Sequence, residues 1–269
     1  MPELPELENY RILLTKKIGG HSIDRVDVWR EKTINVPPEM FRREVAGRRI
    51  ERIERRAKHL IFRLNSGKAL LLHLMLSGWM FYGQERHKPE RSAQVALHFG
   101  AESLYFISLR LGYLHLLEPD ELERTLNHLG PEPLTPEFTP ELCAGLIRQR
   151  RSRLKTALVD QSFISGIGNC YSDEICFAAG LLPTRLCSDL RDREIGRLYE
   201  AIRTVLSEAV RCGGYMAHPL YIGDERTGGF DERCKVYDRG GEPCVRCGHP
   251  IVFQKVSSRK CFYCANCQQ

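Results

Sequence analysis

Near the start of the chain, apolar residues recur at steps of three and four: Leu4, Leu7, Tyr10 and Leu14. That period predicts an amphipathic helix. Pro2 and Pro5 sit where a first helical turn tolerates proline, and Gly19-Gly20 supplies a stop. The pattern then changes to short aliphatic and aromatic runs at 23–29, 60–64, 69–74, 95–99, 104–107 and 113–117. Turn residues such as Asn65-Ser66-Gly67 and Gly100 separate several of them. This spacing predicts an all-β sandwich or barrel behind one leading helix.

The stretch 130–140, GPEPLTPEFTP, holds four of the 14 prolines. It can be neither a helix nor a central strand, and residues 131–140 read as a linker. Helical patterns resume at 141–147, 153–163, 171–179 and 192–210; the last carries Ile195, Leu198, Ile202, Val205, Leu206 and Ala209 on one face. The stretch 213–230 has five glycines and no periodicity. A loop that long is usually functional or mobile. The expected organisation is α+β and multidomain: a β-sandwich with its helix (1–130), the linker, a helical domain (141–233) and a cysteine-rich end (234–269).

Composition narrows the classes. The 269 residues, 42% hydrophobic and 28% charged, suit two modest folded domains rather than a disordered chain. No apolar run approaches the roughly 20 residues needed to span a bilayer. The acidic start MPELPELENY is unlike a signal peptide, so a cytoplasmic protein is expected. There, the 11 cysteines are not a disulfide framework. The net charge of +6 is unevenly distributed. Eight basic residues against three glutamates fall in 42–58, and Arg148, Arg150, Arg151, Arg153 and Lys155 cluster without an acid. One such run alone reads as a solvated face. Two of them fit contacts to a phosphate backbone.

Five cysteines lie in the last 26 residues. Cys244-x2-Cys247 and Cys264-x2-Cys267 stand 16 residues apart, the spacing of a tetrahedral zinc site. Cys261 offers a competing pair with Cys264, but it is too far from Cys267 to share one turn. Four thiolates leave no open position, so one structural Zn2+ is expected. Cysteines 143, 170, 176, 187, 212 and 234 have no ligand spacing and read as small semi-buried thiols. Between the two pairs, residues 252–260 suggest a two-stranded ribbon with Lys255, Arg259 and Lys260 at its tip. Such a tip can enter a groove of a duplex, although alone it reads as a solvated basic turn.

Ser165-Gly166-Ile167-Gly168-Asn169 joins two helical segments. Its Gly-x-Gly lacks both the preceding strand and the third glycine of a dinucleotide site. A tight helical hairpin fits better, with Asn169 and backbone amides available to one DNA phosphate. At the other end, removal of Met1 would expose the secondary amine of Pro2. An α-amino group titrates near about 7.7–8, so much of it is neutral and able to attack an aldehydic sugar carbon. Glu3 and Glu6 beside it are candidate general acids or bases. Proline and glutamate are also ordinary first-turn residues, which alone would explain them.

Taken together, the start MPELPELE, the segment ERRAKHL, the run LKTALVDQSFISGIGNCYSDEI and the terminal zinc ribbon resemble the formamidopyrimidine-DNA glycosylase / endonuclease VIII family of base-excision repair enzymes. The resemblance spans the whole chain. It implies a β-sandwich, a helix–two-turn–helix domain and a zinc finger acting as a monomer on double-stranded DNA with oxidised bases or abasic sites. It implies that Pro2 is the nucleophile that displaces the base and forms a Schiff base, and that Glu3 assists sugar opening. Glu6 would be a supporting carboxylate in the lesion site. Lys58 would contact phosphate and assist strand cleavage, and Arg259 would serve the second elimination. Arg110, Arg150, Lys155 and Asn169 would contact DNA, and the glycine-rich loop would cap the flipped base. In a bacterium the protein would be associated with the nucleoid.

The chain departs from the formamidopyrimidine-type pattern in the residues that fill the vacated space. Leu76 replaces a methionine, Arg110 is retained, and the phenylalanine is missing, with Leu111 or Tyr113 nearby. A histidine used near a phosphate is Ser92 here. Two functions follow as expectations: a bifunctional glycosylase and abasic-site lyase, or a damaged-DNA-binding protein of the same fold with weak turnover. An unrelated zinc-ribbon factor would leave Pro2 and the GIGN turn unexplained.

Overall fold

A computed structural model describes all 269 residues. They form two compact units, 1–128 with 212–229, and 129–211 with 230–269.

The first unit opens with α1 (Leu4–Ile18) and continues through β1 (Arg25–Val28), α2 (Pro38–Val45), β2 (Ile50–Arg56), β3 (His59–Leu64), β4 (Ala69–His73), β5 (Trp79–Gly83), β6 (Ala93–Phe99), β7 (Glu102–Ile107), β8 (Tyr113–Leu117) and α3 (Pro119–Leu126). Two antiparallel sheets, β1-β6-β7-β5 and β2-β3-β4-β8, make the expected sandwich. Leu60, Phe62, Leu70 and Leu72 from one sheet share a core with Val95, Leu97, Leu104 and Phe106 from the other, and Leu7, Tyr10, Leu14 and Ile18 of α1 join them. The outer face of the second sheet is covered as well: Ile61, Leu71 and Leu117 pack under Leu122 of α3. Strands buried on both faces read as unbroken apolar runs rather than alternating ones.

Four elements have no counterpart in the expected pattern. β2 is the charged edge strand IERIERR, in which only Ile50 and Ile53 are buried. β5 follows Gly78 and ends on Gly83. In α2 and α3 the buried residues are Phe41 and Val45, and Leu122 alone.

The second unit contains α4 (Pro140–Gln149), α5 (Leu154–Leu158), α6 (Asn169–Ala179), α7 (Asp192–Arg211), β9 (Val252–Val256) and β10 (Arg259–Tyr263). The helix expected over 153–163 stops at Leu158, because Gln161 folds back and donates to the carbonyls of Val159 and Ile167. Residues 131–139 form neither helix nor strand but pack on the helices. Ser165 N donates to Pro131 O (3.0 Å), Arg203 binds the carbonyls of Pro133 and Thr135, and Phe138 is fully buried against Tyr199.

The glycine-rich loop differs from the contiguous division over 141–233. Residues 212–229 belong to the first unit. Leu220 is buried in the sandwich core, and its carbonyl accepts from Tyr82 N on edge strand β5 (2.6 Å). No helix is long and apolar enough to cross a membrane.

Candidate active site and nucleic-acid interface

Pro2 is buried immediately before Glu3, the N-cap of α1. Glu3 and Glu6 form a reciprocal capping box: Glu3 accepts from the Glu6 amide, and Glu6 Oε2 accepts from Glu3 N (2.7 Å). The loop expected to be functional or mobile is hydrogen-bonded to this turn and its helix. Tyr215 N donates to Glu6 Oε1 (2.9 Å), Asn9 Nδ2 to Thr227 Oγ1 (2.8 Å) and the Tyr10 hydroxyl to His218 O (2.9 Å). Asp224 accepts from Leu220 N and from the Thr227 hydroxyl, which closes the loop on itself. The His218 ring stacks on Trp79 (5.1 Å, 23°). Burial, and then the positive charges of Arg91 and the N-terminus, hold the His218 imidazole below its ordinary range.

Lys58 sits in the tight β2–β3 turn beside Ala57, whose φ is +53°, and is buried. The next residue begins a row that sequence reading missed. His59, His73 and Tyr113 are register partners across β3, β4 and β8. His59 Nε2 lies 3.1 Å from the Tyr113 hydroxyl, and His115 stacks on Tyr113. Burial, and after it His73, lowers His59 to about 3. Burial, and after it the charge of Lys58, lowers His73 to about 4. A backbone N–H can only donate, so Met75 N on His73 Nδ1 (3.1 Å) places the neutral ring's proton on Nε2. The available signal was histidine and tyrosine in the same phase on three strands, but phase between strands depends on register, which no local pattern shows.

Arg110 is exposed and its guanidinium makes no hydrogen bond or ion pair. It lies beside Leu111 (64% exposed) and near Leu76 (65%). The two loops that carry them are tied together by Ser77 Oγ on Ser108 O (3.2 Å). They close over Leu109, where a Cβ on Gly78 or Gly112 would meet Leu109 Cδ2 at 2.6 or 2.7 Å. The result is two bare leucines and a free arginine on loops packed closely over Leu109. Tyr113, the other candidate for the missing phenylalanine, is instead half-buried in the histidine row.

In the second unit the structure changes one expectation. Lys155 is 0% exposed, and its ammonium donates to Asn169 O (2.9 Å), Ser172 Oγ (2.9 Å) and Asp173 Oδ1 (2.7 Å). All three protons are used within the protein, so Lys155 braces the start of α6 rather than presenting its charge at the surface. Asn169 is half-exposed there, its side chain unbonded. The guanidinium of Arg150 is held by Asp160 and Ser152 and lies over the Phe163 ring. It is partly consumed by structure.

Asp173 also accepts from Phe262 N (3.1 Å), which joins α6 to the ribbon. Ser257 and Ser258, at φ +48° and +65°, make the two-residue turn between β9 and β10. Two successive positive φ values mark the twist-matched hairpin turn. The turn leaves Arg259 exposed and unpaired at the base of the tip. The sulfurs of Cys244, Cys247, Cys264 and Cys267 lie within 4.8 Å of one another. The Cys244–Cys267 and Cys247–Cys264 pairs are 3.9 and 3.5 Å apart. A zinc tetrahedron with bonds of about 2.3 Å has sulfur edges near about 3.8 Å, so the set fits that ion. The buried Cys261 thiol faces Asp173 instead, which resolves the competing pair.

Comparison with known proteins covers nearly the whole chain. Family models match at residues 1–113 (formamidopyrimidine-DNA glycosylase N-terminal domain), 129–218 (formamidopyrimidine-DNA glycosylase H2TH domain) and 241–269 (zinc finger found in FPG and IleRS). A formamidopyrimidine-DNA glycosylase of Pelotomaculum thermopropionicum is 37% identical over 100% of this chain and 99% of its own. That of Symbiobacterium thermophilum is 38% identical over 100% and 89%. A Lactococcus lactis FPG mutant in complex with Fapy-dG DNA superposes with a TM-score of 0.92 at 30% identity, with all of both chains covered. The Lactococcus lactis Fpg bound to abasic-site DNA gives 0.92 over 99% of each chain.

Proposed function

The chain belongs to the formamidopyrimidine-DNA glycosylase family, and we propose that it is a bifunctional DNA glycosylase and abasic-site lyase for oxidised bases in double-stranded DNA. The observation that carries this reading is the N-terminal turn: Pro2 directly precedes the Glu3 cap, and the glycine-rich loop is hydrogen-bonded onto that same turn.

With Met1 removed, the Pro2 amine attacks C1′ of the damaged nucleotide and the base departs with the glycosidic electron pair. Glu3 supplies the proton that opens the sugar ring, leaving an iminium between Pro2 and C1′. Loss of a C2′ proton then expels the 3′ phosphate, and a second elimination, assigned to Arg259, expels the 5′ phosphate. Lys58 pairs with a phosphate and assists the strand-cleavage steps. Asn169, braced by Lys155, binds a phosphate at the start of α6, and Arg110 with Leu76 and Leu111 occupies the space left by the extruded nucleotide. Cys244, Cys247, Cys264 and Cys267 hold one Zn2+, which fixes the fold of the ribbon that carries Arg259. A monomer suffices for one duplex, and the bacterial relatives support a bacterial cytoplasm, in association with the nucleoid, as the compartment.

The test is covalent trapping. Met1-free protein is mixed with a duplex containing an abasic site or 8-oxoguanine in the presence of borohydride. An adduct that disappears in Pro2→Gly supports the enzyme. No adduct on either duplex would leave a damaged-DNA-binding protein of the same fold.

A further inference from the structure

Helix α1 carries three anchors for the glycine-rich loop on one face. Glu6, Asn9 and Tyr10 stand at i, i+3 and i+4 and bind Tyr215, Thr227 and His218 respectively. Glu6 differs from the other two because its second oxygen binds the backbone of the catalytic turn. Oε2 accepts from Glu3 N at 2.7 Å while Oε1 accepts from Tyr215 N at 2.9 Å, and the side chain is buried. The loop reaches Oε1 only because Gly214 has no side chain. Its φ is +77°, and a Cβ there would stand 2.2 Å from Glu6 Oε1 and 2.8 Å from its carboxyl carbon. A Cβ on Gly213 would likewise stand 2.0 Å from Arg226 O. Loop and nucleophile thus meet through one carboxylate and one bare backbone position.

Resting on the assignment of Pro2 as nucleophile, we propose that Glu6 is a positioning residue, which couples seating of loop 213–228 to the alignment of the Pro2–Glu3 backbone. It works through two main-chain amides rather than by carrying a proton. Losing either arm lets the amine drift from its line of attack, and a shift of about 1 Å at a reacting atom can cost about 100-fold. Glutamine cannot replace Glu6 fully, because its NH2 would meet one of two N–H donors.

The test uses Met1-free protein and a saturating amount of abasic-site duplex, which removes any contact with a base. The rate of borohydride-trapped adduct is measured for Glu6→Gln, Gly214→Ala, the double variant and Gly67→Ala. Gly67 has φ +86° with open space around its missing Cβ, so that variant measures backbone strain alone. The expected result is a fall of about 10- to 100-fold in each of Glu6→Gln and Gly214→Ala. The double variant should be no slower than the slower single, since both break one link. The pH–rate profile of Glu6→Gln should keep its shape, and Gly67→Ala should stay within about twofold. Gly214→Ala trapping at the unsubstituted rate, additive losses in the double variant, or a lost limb in the Glu6→Gln pH profile would each overturn the coupling. Absence of adduct with the unsubstituted protein would instead refute the Pro2 assignment.

Discussion

An ammonium group with no exposed surface must find its acceptors inside the protein, and Lys155 finds three. Its basic neighbours suggested a phosphate contact, but a run of charge does not reveal which member turns inward. Removing one partner of a buried ion pair strands the other charge and costs about 3–5 kcal/mol. Lys155→Met should therefore lower the stability of the second unit by that amount, read from urea unfolding. It should also weaken DNA binding, because Asn169 loses the brace on its carbonyl. Unchanged stability would contradict the buried pairing. The site residues legible from spacing alone were the four zinc cysteines, which the structure brings together. Glu6 was singled out beside Pro2, but its contact with the loop was not legible, since Tyr215 lies 209 positions away.

Among the elements, the sandwich strands were readable where both faces are buried, and so were the long helix α7 and the ribbon between the cysteine pairs. β2 was hidden by its charge, and β5 by the glycine before it and the glycine that ends it. The histidine row across β3, β4 and β8 emerges only once register is known, and it makes a pH prediction. His59 and His73 are neutral in the folded protein, at about 3 and about 4, whereas the unfolded chain takes up these protons below about 6.5. The unfolded state therefore binds more protons through that window, and stability falls as pH drops from about 6.5 towards 4. Each ring contributes a slope of about 1.4 kcal/mol per pH unit. His59→Gln should remove about half of this slope in urea unfolding at pH 6.5, 5.5 and 4.5. An unchanged slope would show that the row is not the source.

For the whole molecule, the net charge of +6 understates the basic surface, because Arg110 and Arg259 are exposed and unpaired while many other cations are neutralised within the fold. Both tryptophans, Trp29 and Trp79, lie in the first unit, and the zinc cysteines lie in the second. Chelating zinc should abolish DNA binding while leaving the tryptophan-monitored unfolding of the first unit within about 2 °C, because the metal site contributes folding energy to the second unit, whose α6 is joined to the ribbon through Asp173 and Phe262. Full DNA affinity after metal removal would contradict the part given to the finger. The measurement that bears most directly on the whole account is the position of the covalent bond. The borohydride-trapped adduct of the Met1-free protein is digested with trypsin and mapped by mass spectrometry. The sugar remnant should sit on the nitrogen of Pro2, within the peptide 2–11. A remnant on Lys58 or another lysine, with peptide 2–11 recovered unmodified, would contradict the account.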